Sequence, residues 1–262
     1  MKRYNQEDYT DVKWGDRSWQ EFAGCAEEGY IVLLPLGSIE QHGPMLPVEC
    51  DWFLAETWAL EGARQAHDTY GVKVLVLPPI PYGVSTEHMD FEGTISLDLD
   101  TYVKLLQDII REVIRAGFKK IVCVSGHGGN IMPAQVSMRD LKIKLKQEKV
   151  EGVKLYMADH SECFADSEEV TEAVEQQFHF HASACETAYY LFQHPELVKK
   201  EGLVKPEMKR QNKPRAGWWT KDITESGASG NPEEATAEYG EKLYEYFTGA
   251  IARYLKKVQD DE

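Results

Sequence analysis

Stretches typical of buried strands alternate with stretches typical of amphipathic helices along most of this chain. Four apolar runs that favour strands cover residues 30–36, 72–77, 120–124 and 153–158. The spacing of apolar side chains predicts helices over residues 52–67, 100–116, 132–147, 168–178, 184–193 and 233–257, and a short helix over residues 14–27. Strands that are separated by helices pair in parallel, and the helices cover both faces of the sheet. We therefore predict a three-layer α/β/α fold with a mainly parallel central sheet.

Length, composition and charge narrow the class of protein. The chain has 262 residues, of which 42% are hydrophobic, and we expect residues 1–262 to form one domain. Its 44 acidic and 29 basic side chains leave a net charge of −15, which argues against nucleic acid or an anionic membrane surface as the main partner. The five cysteines have no C-x-x-C spacing, and no apolar run is long enough to span a bilayer. We expect a reduced, cytoplasmic protein without a secretory signal.

The turn after the first apolar run carries the densest group of reactive side chains. It reads Pro-Leu-Gly-Ser-Ile-Glu-Gln-His-Gly-Pro over residues 35–44, which places Glu40 and His42 two residues apart, and Asp51 follows. Two carboxylates and an imidazole at the end of a buried strand form a ligand set for a divalent metal. The alternative is a polar loop in which Asp51 caps the helix that begins at residue 52.

Two further histidines stand in settings that favour a ligand or a catalytic role. His127 lies in a Ser-Gly-His-Gly-Gly-Asn turn, where glycines let the backbone approach a ligand closely. The alternative is a strand-to-helix turn with Asn130 as the helix cap. His181 and Glu186 are five residues apart, so they reach one cavity only if a turn precedes the helix. The alternative is a surface histidine and a glutamate that the helix dipole favours.

Polar clusters follow all four predicted strands, at the edge of the sheet where ligands bind in folds of this kind. Glu87 and His88 follow the second strand, and Asp159 and His160 follow the fourth. We expect Glu87 and His88 to orient a substrate or to support the ligands. The alternative for these two is a solvated pair on a loop.

Together these motifs resemble the creatininase (creatinine amidohydrolase) family over nearly the whole chain, from about residue 14 to the C-terminal helix. The matching positions are 34–43, Asp51, 82–85 with Glu87-His88, 93–97, 125–130, His181 with Glu186-Thr187, and 230–232 before 235–237. Members of this family are metal-dependent amidohydrolases that have a dinuclear site on an α/β/α fold and often assemble as hexamers. The resemblance therefore implies a hydrolase that acts on a C–N bond of a small-molecule amide and forms a homohexamer.

The resemblance also implies roles for individual residues. Glu40 and His127 would hold one metal ion. His42 and Glu186 would hold the second, and Asp51 would bridge the two. All of these ligand atoms are oxygen or nitrogen, and Zn, Mn and Fe(II) are all compatible with such a set.

The same resemblance predicts a route for amide hydrolysis. Two metals would make a shared hydroxide available near neutral pH and would polarise the substrate carbonyl. His181 matches the acid/base histidine of the family and would protonate the leaving nitrogen. Glu87 and His88 are the further catalytic candidates. Trp218 and Trp219, in a long loop, are candidates for a hydrophobic lid or a subunit contact.

The chain departs from creatininase itself at several positions. Met45 stands where many relatives have a histidine, and Gly129 stands where creatininase has its outer-site glutamate, so Glu186 is assigned that role. The two tryptophans around the substrate of creatininase have counterparts near Asp159 and at Gln177, and neither is Trp. We therefore predict an amide hydrolase that prefers a substrate other than creatinine. A formamide or formylamino-pyrimidine deformylase, a peptidase, a non-catalytic metal-binding regulatory protein and a purely structural α/β protein are the alternatives.

Overall fold

The central sheet consists of four parallel strands. A computed structural model of the protein describes residues 9–158, 181–209 and 217–261. In these ranges the strands are β1 (Ile31–Leu36), β2 (Val74–Val76), β3 (Lys120–Ser125) and β4 (Lys154–Ala158). They form one sheet in the order β2-β1-β3-β4, and every pairing is parallel. Leu36 pairs with Ser125, so the turns that follow β1 and β3 leave the sheet at the same edge.

Helices cover both faces of this sheet. The described residues contain five α-helices: α1 (Cys50–Tyr70), α2 (Leu99–Arg115), α3 (Ile131–Gln147), α4 (Ala184–Gln193) and α5 (Ala237–Asp260). Helices α1, α4 and α5 pack in a hydrophobic cluster with Ile31 and Leu33 of β1, whereas α2 and α3 pack against Val32 and Leu34. Successive side chains of a strand point to opposite faces of the sheet, so β1 serves both clusters. The predicted three-layer α/β/α fold is confirmed.

The predicted helix over residues 14–27 is wrong. This segment forms turns and a short 3-10 helix, Trp19–Phe22. Phe22 packs against Trp14 with 4.5 Å between ring centroids, but Trp19 is 82% exposed. The segment therefore lacks a continuous apolar face to bury, and a short helix is unstable without one.

Two helix boundaries also differ from the predicted ones. Helix α1 begins at Cys50, so Asp51 lies in its first turn and is not its N-cap. Helix α5 begins at Ala237, later than predicted, because the side chain of Thr236 accepts a hydrogen bond from the backbone N–H of Tyr239 and caps the helix there.

Some predictions concern residues outside the described ranges. These are the helix over residues 168–178 and the positions of Asp159, His160 and Gln177. The cysteines in the described part of the chain are buried and form no disulfide: Cys25, Cys50, Cys123 and Cys185. None of the helices in these ranges combines the length and the apolar composition that crossing a bilayer needs.

Candidate metal centre

The turn after β1 and the first turn of α1 bring three charged side chains together. Glu40 and His42 lie in the turn and are completely buried, and Asp51 of α1 is 2% exposed. The end of β3 approaches this corner closely, because a Cβ atom on Gly126 would overlap the backbone oxygen of Asp51. A glycine at this position therefore lets the turn with His127 reach the same corner.

His42 turns one ring nitrogen towards two carboxylates. Its Nε2 atom lies 3.2 Å from Oδ1 of Asp51 and 3.8 Å from Oε1 of Glu186. The other ring nitrogen, Nδ1, lies 3.1 Å from the backbone oxygen of Glu40, which can only accept a hydrogen bond. In the neutral ring Nδ1 therefore carries the proton, and Nε2 presents its lone pair to Asp51 and Glu186.

His127 is arranged in the same way around the second oxygen of Asp51. Its Nδ1 atom lies 3.3 Å from Oδ2 of Asp51 and 3.3 Å from Oε1 of Glu40. Its Nε2 atom lies 2.9 Å from the backbone oxygen of Val84 and donates to it. In the neutral ring the lone pair of Nδ1 therefore faces both carboxylates. Asp51 faces one histidine with each of its oxygens.

Glu186 divides its two oxygens between helix capping and the cluster. Its Oε2 atom accepts a hydrogen bond of 3.0 Å from the backbone N–H of Ser183, in front of the first turn of α4. Its Oε1 atom faces His42. Glu186 therefore does both things that the sequence suggested as alternatives: it caps the start of a helix, and it lies at the charged cluster.

Buried acceptor atoms that face one another in this way fit a bound cation. Among the described side chains, both carboxylate oxygens of Glu40, Nε2 of His42 and Oδ2 of Asp51 are buried without a hydrogen-bond partner. Leaving such a group unpaired costs roughly 1–3 kcal/mol of folding free energy. Glu40, His42 and Asp51 each offer a ligand atom within 4.8 Å of the others. The chemistry of this donor set suits a divalent metal.

The charges of the cluster also favour a cation. Burial disfavours the charged form of Glu40, but His127 outweighs burial and lowers the pKa of this carboxyl to about 2. Burial also raises the pKa values of Asp51 and Glu186, but the contact with His42 outweighs burial, so the pKa of each carboxyl is lowered. The three carboxylates therefore stay ionised at neutral pH. Burial lowers the pKa of His127, but Glu40 outweighs burial and raises this pKa well above its usual range. Without a metal, a proton on His127 therefore neutralises part of the negative charge of the cluster.

His88 and His181 border Glu40 on the cavity side. Oε1 of Glu40 lies 3.4 Å from Nδ1 of His181 and 3.6 Å from Nε2 of His88. The two histidine rings lie 4.2 Å apart between centroids. Burial and the neighbouring His181 lower the pKa of His88 to about 2, and burial and His42 lower the pKa of His181. Both rings are therefore neutral at neutral pH.

A cavity of about 250 Å³ opens beside this cluster. Its size is close to the lower end of ligand-binding pockets, which begin at roughly 300 Å³. Trp218 lines the cavity, and Trp219 is not among the lining residues. The other lining side chains are Asp51, Leu54, Trp58, Glu87, His88, His127, His181, Ser183, Cys185, Glu186, Tyr189 and Phe247. The cavity therefore joins the charged cluster to an aromatic wall.

The structure brings the predicted site residues to one corner of the sheet. Glu40, His42, Asp51, His127, Glu186, His88 and His181 lie within the distances given above, and Glu87 lines the cavity. Two further residues that contact His88 are not among the predicted site residues. Gln41 contacts His88, and its position between Glu40 and His42 is a sequence signal that was available. Thr220, at the start of a short 3-10 helix, also contacts His88, but it lies 132 residues away along the chain, so local spacing gives no such signal.

The turn that carries His127 is tightly packed around Gly129. A Cβ atom there would overlap Nε2 of His127 and lie 2.6 Å from the backbone oxygen of Val84, which are the two partners of one hydrogen bond. This crowding leaves no room for a glutamate at position 129 on this backbone. We expect Gly129→Ala to displace the ring of His127, to lower the free energy of unfolding by about 1–3 kcal/mol and to lower metal content.

Gly128→Ala is the matched control for this prediction, because a Cβ atom at Gly128 would meet nothing within 4 Å. Urea denaturation measures the stability of both variants, and elemental analysis measures their metal content. Wild-type metal content and stability in Gly129→Ala would contradict the prediction.

Comparisons with known proteins agree with this architecture. The family model "Creatininase: Creatinine amidohydrolase" matches residues 15–255. Mycofactocin precursor peptide peptidase of Mycolicibacterium smegmatis (strain ATCC 700084 / mc(2)155) is 30% identical over 235 residues, which cover 88% of this chain and 86% of that protein. Creatinine amidohydrolase of Pseudomonas putida is 27% identical over 201 residues, which cover 72% of this chain and 75% of that protein.

A solved structure described as creatinine amidohydrolase (creatininase) shares the fold. It matches with a TM-score of 0.82 at 24% identity, and the match covers 96% of this chain and 99% of that one. The family match spans almost all of the described fold, including each of the strands and helices that carry the charged cluster. The chain therefore belongs to the creatininase family of amidohydrolases.

Proposed function

We propose that this protein hydrolyses an amide C–N bond with two divalent metal ions held by Glu40, His42, Asp51, His127 and Glu186. The observation that carries the proposal is the pair of contacts made by Asp51. Its Oδ1 atom faces the lone pair of His42 and its Oδ2 atom faces the lone pair of His127, which supports a role for one carboxylate in holding two ions. Glu40 and His127 would hold one ion together with Asp51. His42 and Glu186 would hold the other ion together with Asp51.

The ligand atoms are oxygen and nitrogen, which suits Zn, Mn or Fe(II). A solved structure of the same fold is described as "Creatininase Mn", and another, of a mutant creatininase, is described as "Zn-Zn type". The second of these supports a pair of such ions in this chain. When bound, metal ions of this kind polarise a carbonyl group and lower the pKa of water.

His181 is proposed to move the proton of the reaction. Its Nε2 atom donates a hydrogen bond of 2.6 Å to the backbone oxygen of Gln41, which leaves the lone pair of Nδ1 open towards Glu40. Because the ring is neutral at neutral pH, Nδ1 would accept the proton that the attacking water releases and deliver it to the leaving nitrogen. Glu87, on the cavity wall, is proposed to orient the substrate.

Elemental analysis of the purified, metal-loaded protein tests the proposal. We expect two equivalents of metal per chain in the wild type. Glu186→Gln should retain about one equivalent, because only one ligand group loses a member. One equivalent or less in the wild type after loading with Zn or Mn would reject the dinuclear site. Metal without hydrolysis of any amide tried would reject the proposed activity, because this is the behaviour of a metal-binding regulatory protein.

The proposed substrate is a small amide, cyclic or open, other than creatinine. Peptides are the second candidate, because the relative that is 30% identical over 88% of this chain is a peptide peptidase. Trp218 supplies one aromatic wall of the cavity. A stacked aromatic pair contributes about 0.5–1.5 kcal/mol beyond burial, so losing both tryptophan walls of creatininase would weaken creatinine binding by about ten- to a hundredfold, and by less where Trp218 replaces one of them.

Steady-state kinetics with creatinine, a formylated aminopyrimidine and a short peptide measure this preference on the metal-loaded protein. We expect the kcat/KM for creatinine to be lower than that for at least one of the other two compounds. The highest kcat/KM of the three for creatinine would show that the argument from the cavity walls is wrong.

We also propose a closed homo-oligomer, a hexamer by resemblance, with residues 205–232, for which the sequence predicts a long loop, near an interface or a neighbouring active site. Closed point groups satisfy every interface without open-ended growth. Light scattering at micromolar concentration should give six times the chain mass, and a stable monomer would contradict this. The cytoplasmic location and the absence of nucleic-acid and membrane partners stay predictions from composition.

A further inference from the structure

Gln41 lies between two proposed ligands, yet its side chain is held by backbone groups elsewhere. Its Oε1 atom accepts a hydrogen bond of 2.9 Å from the backbone N–H of Gly43, and its Nε2 atom donates one of 3.0 Å to the backbone oxygen of Gly227. Backbone N–H groups only donate and backbone oxygens only accept. Exchanging the nitrogen and the oxygen of this amide would break both bonds, so its orientation is fixed.

This orientation determines where His88 carries its proton. Nε2 of Gln41 also lies 2.8 Å from Nδ1 of His88, and an amide nitrogen can only donate. The hydroxyl of Thr220 lies 2.9 Å from the same ring nitrogen and is free to donate as well. Nδ1 of His88 is therefore an acceptor, and the neutral ring carries its proton on Nε2. This N–H faces Oε1 of Glu40 at 3.6 Å.

The backbone of Gln41 gives His181 the opposite arrangement. Nε2 of His181 donates to the backbone oxygen of Gln41 at 2.6 Å, and Nδ1 lies 3.4 Å from Oε1 of Glu40. The two rings, 4.2 Å apart, therefore present different groups to one carboxylate. His88 presents an N–H, and His181 presents a lone pair. A ring nitrogen that carries a proton has no lone pair in the ring plane for a metal.

We propose that Gln41 sets the tautomers of both histidines, and that His88 is a positioning residue that donates a hydrogen bond to Glu40 instead of binding metal or transferring a proton. The proposal rests on the proposed function, in which Glu40 is a metal ligand. Both oxygens of Glu40 are buried without a hydrogen-bond partner among the described residues, so a donor that closes by a few tenths of an ångström would fix the carboxylate. Hydrogen bonds of this kind orient the ligands of metal sites.

Nitrogen NMR of the histidine rings tests the tautomer directly on the full-length, zinc-loaded protein. We expect the signals of His88, assigned by their loss in His88→Gln, to show a neutral ring with its proton on Nε2. Gln41→Glu is the informative variant. A carboxylate at position 41 still accepts from Gly43 and loses the bond to the backbone oxygen of Gly227. Its second oxygen can only accept from His88, so the proton should move to Nδ1.

Thr220→Val is the matched control, because it removes the second donor to Nδ1 and leaves Gln41 in place. We expect the Nε2–H form of His88 to persist in this variant. Circular dichroism shows whether each variant is folded. A wild-type His88 with its proton on Nδ1, or with an Nε2 signal that shifts as metal-bound nitrogens do, would overturn the proposal.

Chelator competition separates a positioning role from ligation. Loss of a supporting hydrogen bond typically lowers metal affinity by about 10–100-fold. We expect His88→Leu to fall in this range with unchanged metal stoichiometry, and His88→Gln to recover most of the affinity because its amide N–H replaces the donor. Loss of a metal equivalent in both variants would identify His88 as a ligand and overturn the proposal. A wild-type protein that binds no metal would reject the proposed function, whereas the tautomer of His88 would still be decided by NMR.

Discussion

Asp51→Asn is expected to abolish tight metal binding and to lower kcat/KM by roughly 10³-fold or more. Oδ1 of Asp51 lies 3.2 Å from His42, and Oδ2 lies 3.3 Å from His127, so both proposed metal positions share this carboxylate. An asparagine removes the negative charge and replaces one oxygen by an NH₂ group, which donates to one histidine and blocks its lone pair. A catalytic metal contributes several kcal/mol to the reaction, and about 1.4 kcal/mol corresponds to a factor of ten.

The measurement for Asp51→Asn is elemental analysis together with kinetics on the best substrate of the panel. Asp68→Asn is the matched control, since Asp68 lies on the same helix and contacts Arg64 at the surface. Exposed substitutions of this kind usually change stability by less than about 0.5 kcal/mol, so this control should retain metal and activity. Wild-type metal content in Asp51→Asn would show that Asp51 does not bridge the two positions.

His181→Ala is expected to leave metal content unchanged and to lower kcat by about 10²-fold or more, the usual effect of losing a general acid. The hydrogen bond of His181 to the backbone oxygen of Gln41 holds the ring, so its open Nδ1 atom has a fixed position beside the cavity. An alanine leaves no group there that can accept and deliver a proton. The leaving nitrogen then has to be protonated by water.

The control for His181→Ala is His67→Ala, which changes an exposed histidine near the end of α1. Metal content and single-turnover rates of both variants should be measured on the same preparations. A parallel loss of metal and activity in His181→Ala would mean that Nδ1 of His181 binds metal together with Glu40, with which it lies within ligand-forming distance. Activity close to wild type would remove His181 from the proton-transfer step.

Much of the fold follows from local patterns in the sequence. The apolar run that becomes β1 is buried on both faces, and Ala184–Gln193 forms a helix over the residues that its spacing predicts. The exception, residues 14–27, has helical spacing over only one turn or two, and its Trp19 is exposed while Trp14 and Phe22 pack against the core. A pattern of apolar residues predicts a helix reliably only when another part of the protein packs against its apolar face. The local sequence does not show whether such a packing partner exists.

The sequence by itself determined the layered fold, the candidate carboxylates and histidines, and their place at the carboxyl edge of the sheet, because the alternation of strands and helices and the residue types after each strand are enough for these. Only the tertiary structure decided which oxygen of Asp51 faces which histidine, which histidine presents a lone pair, and that Trp218 and not Trp219 lines the cavity. These properties depend on side-chain direction and on hydrogen bonds between distant segments, such as Thr220 with His88. Spacing along the chain carries no information about either, so they arise only when the segments pack.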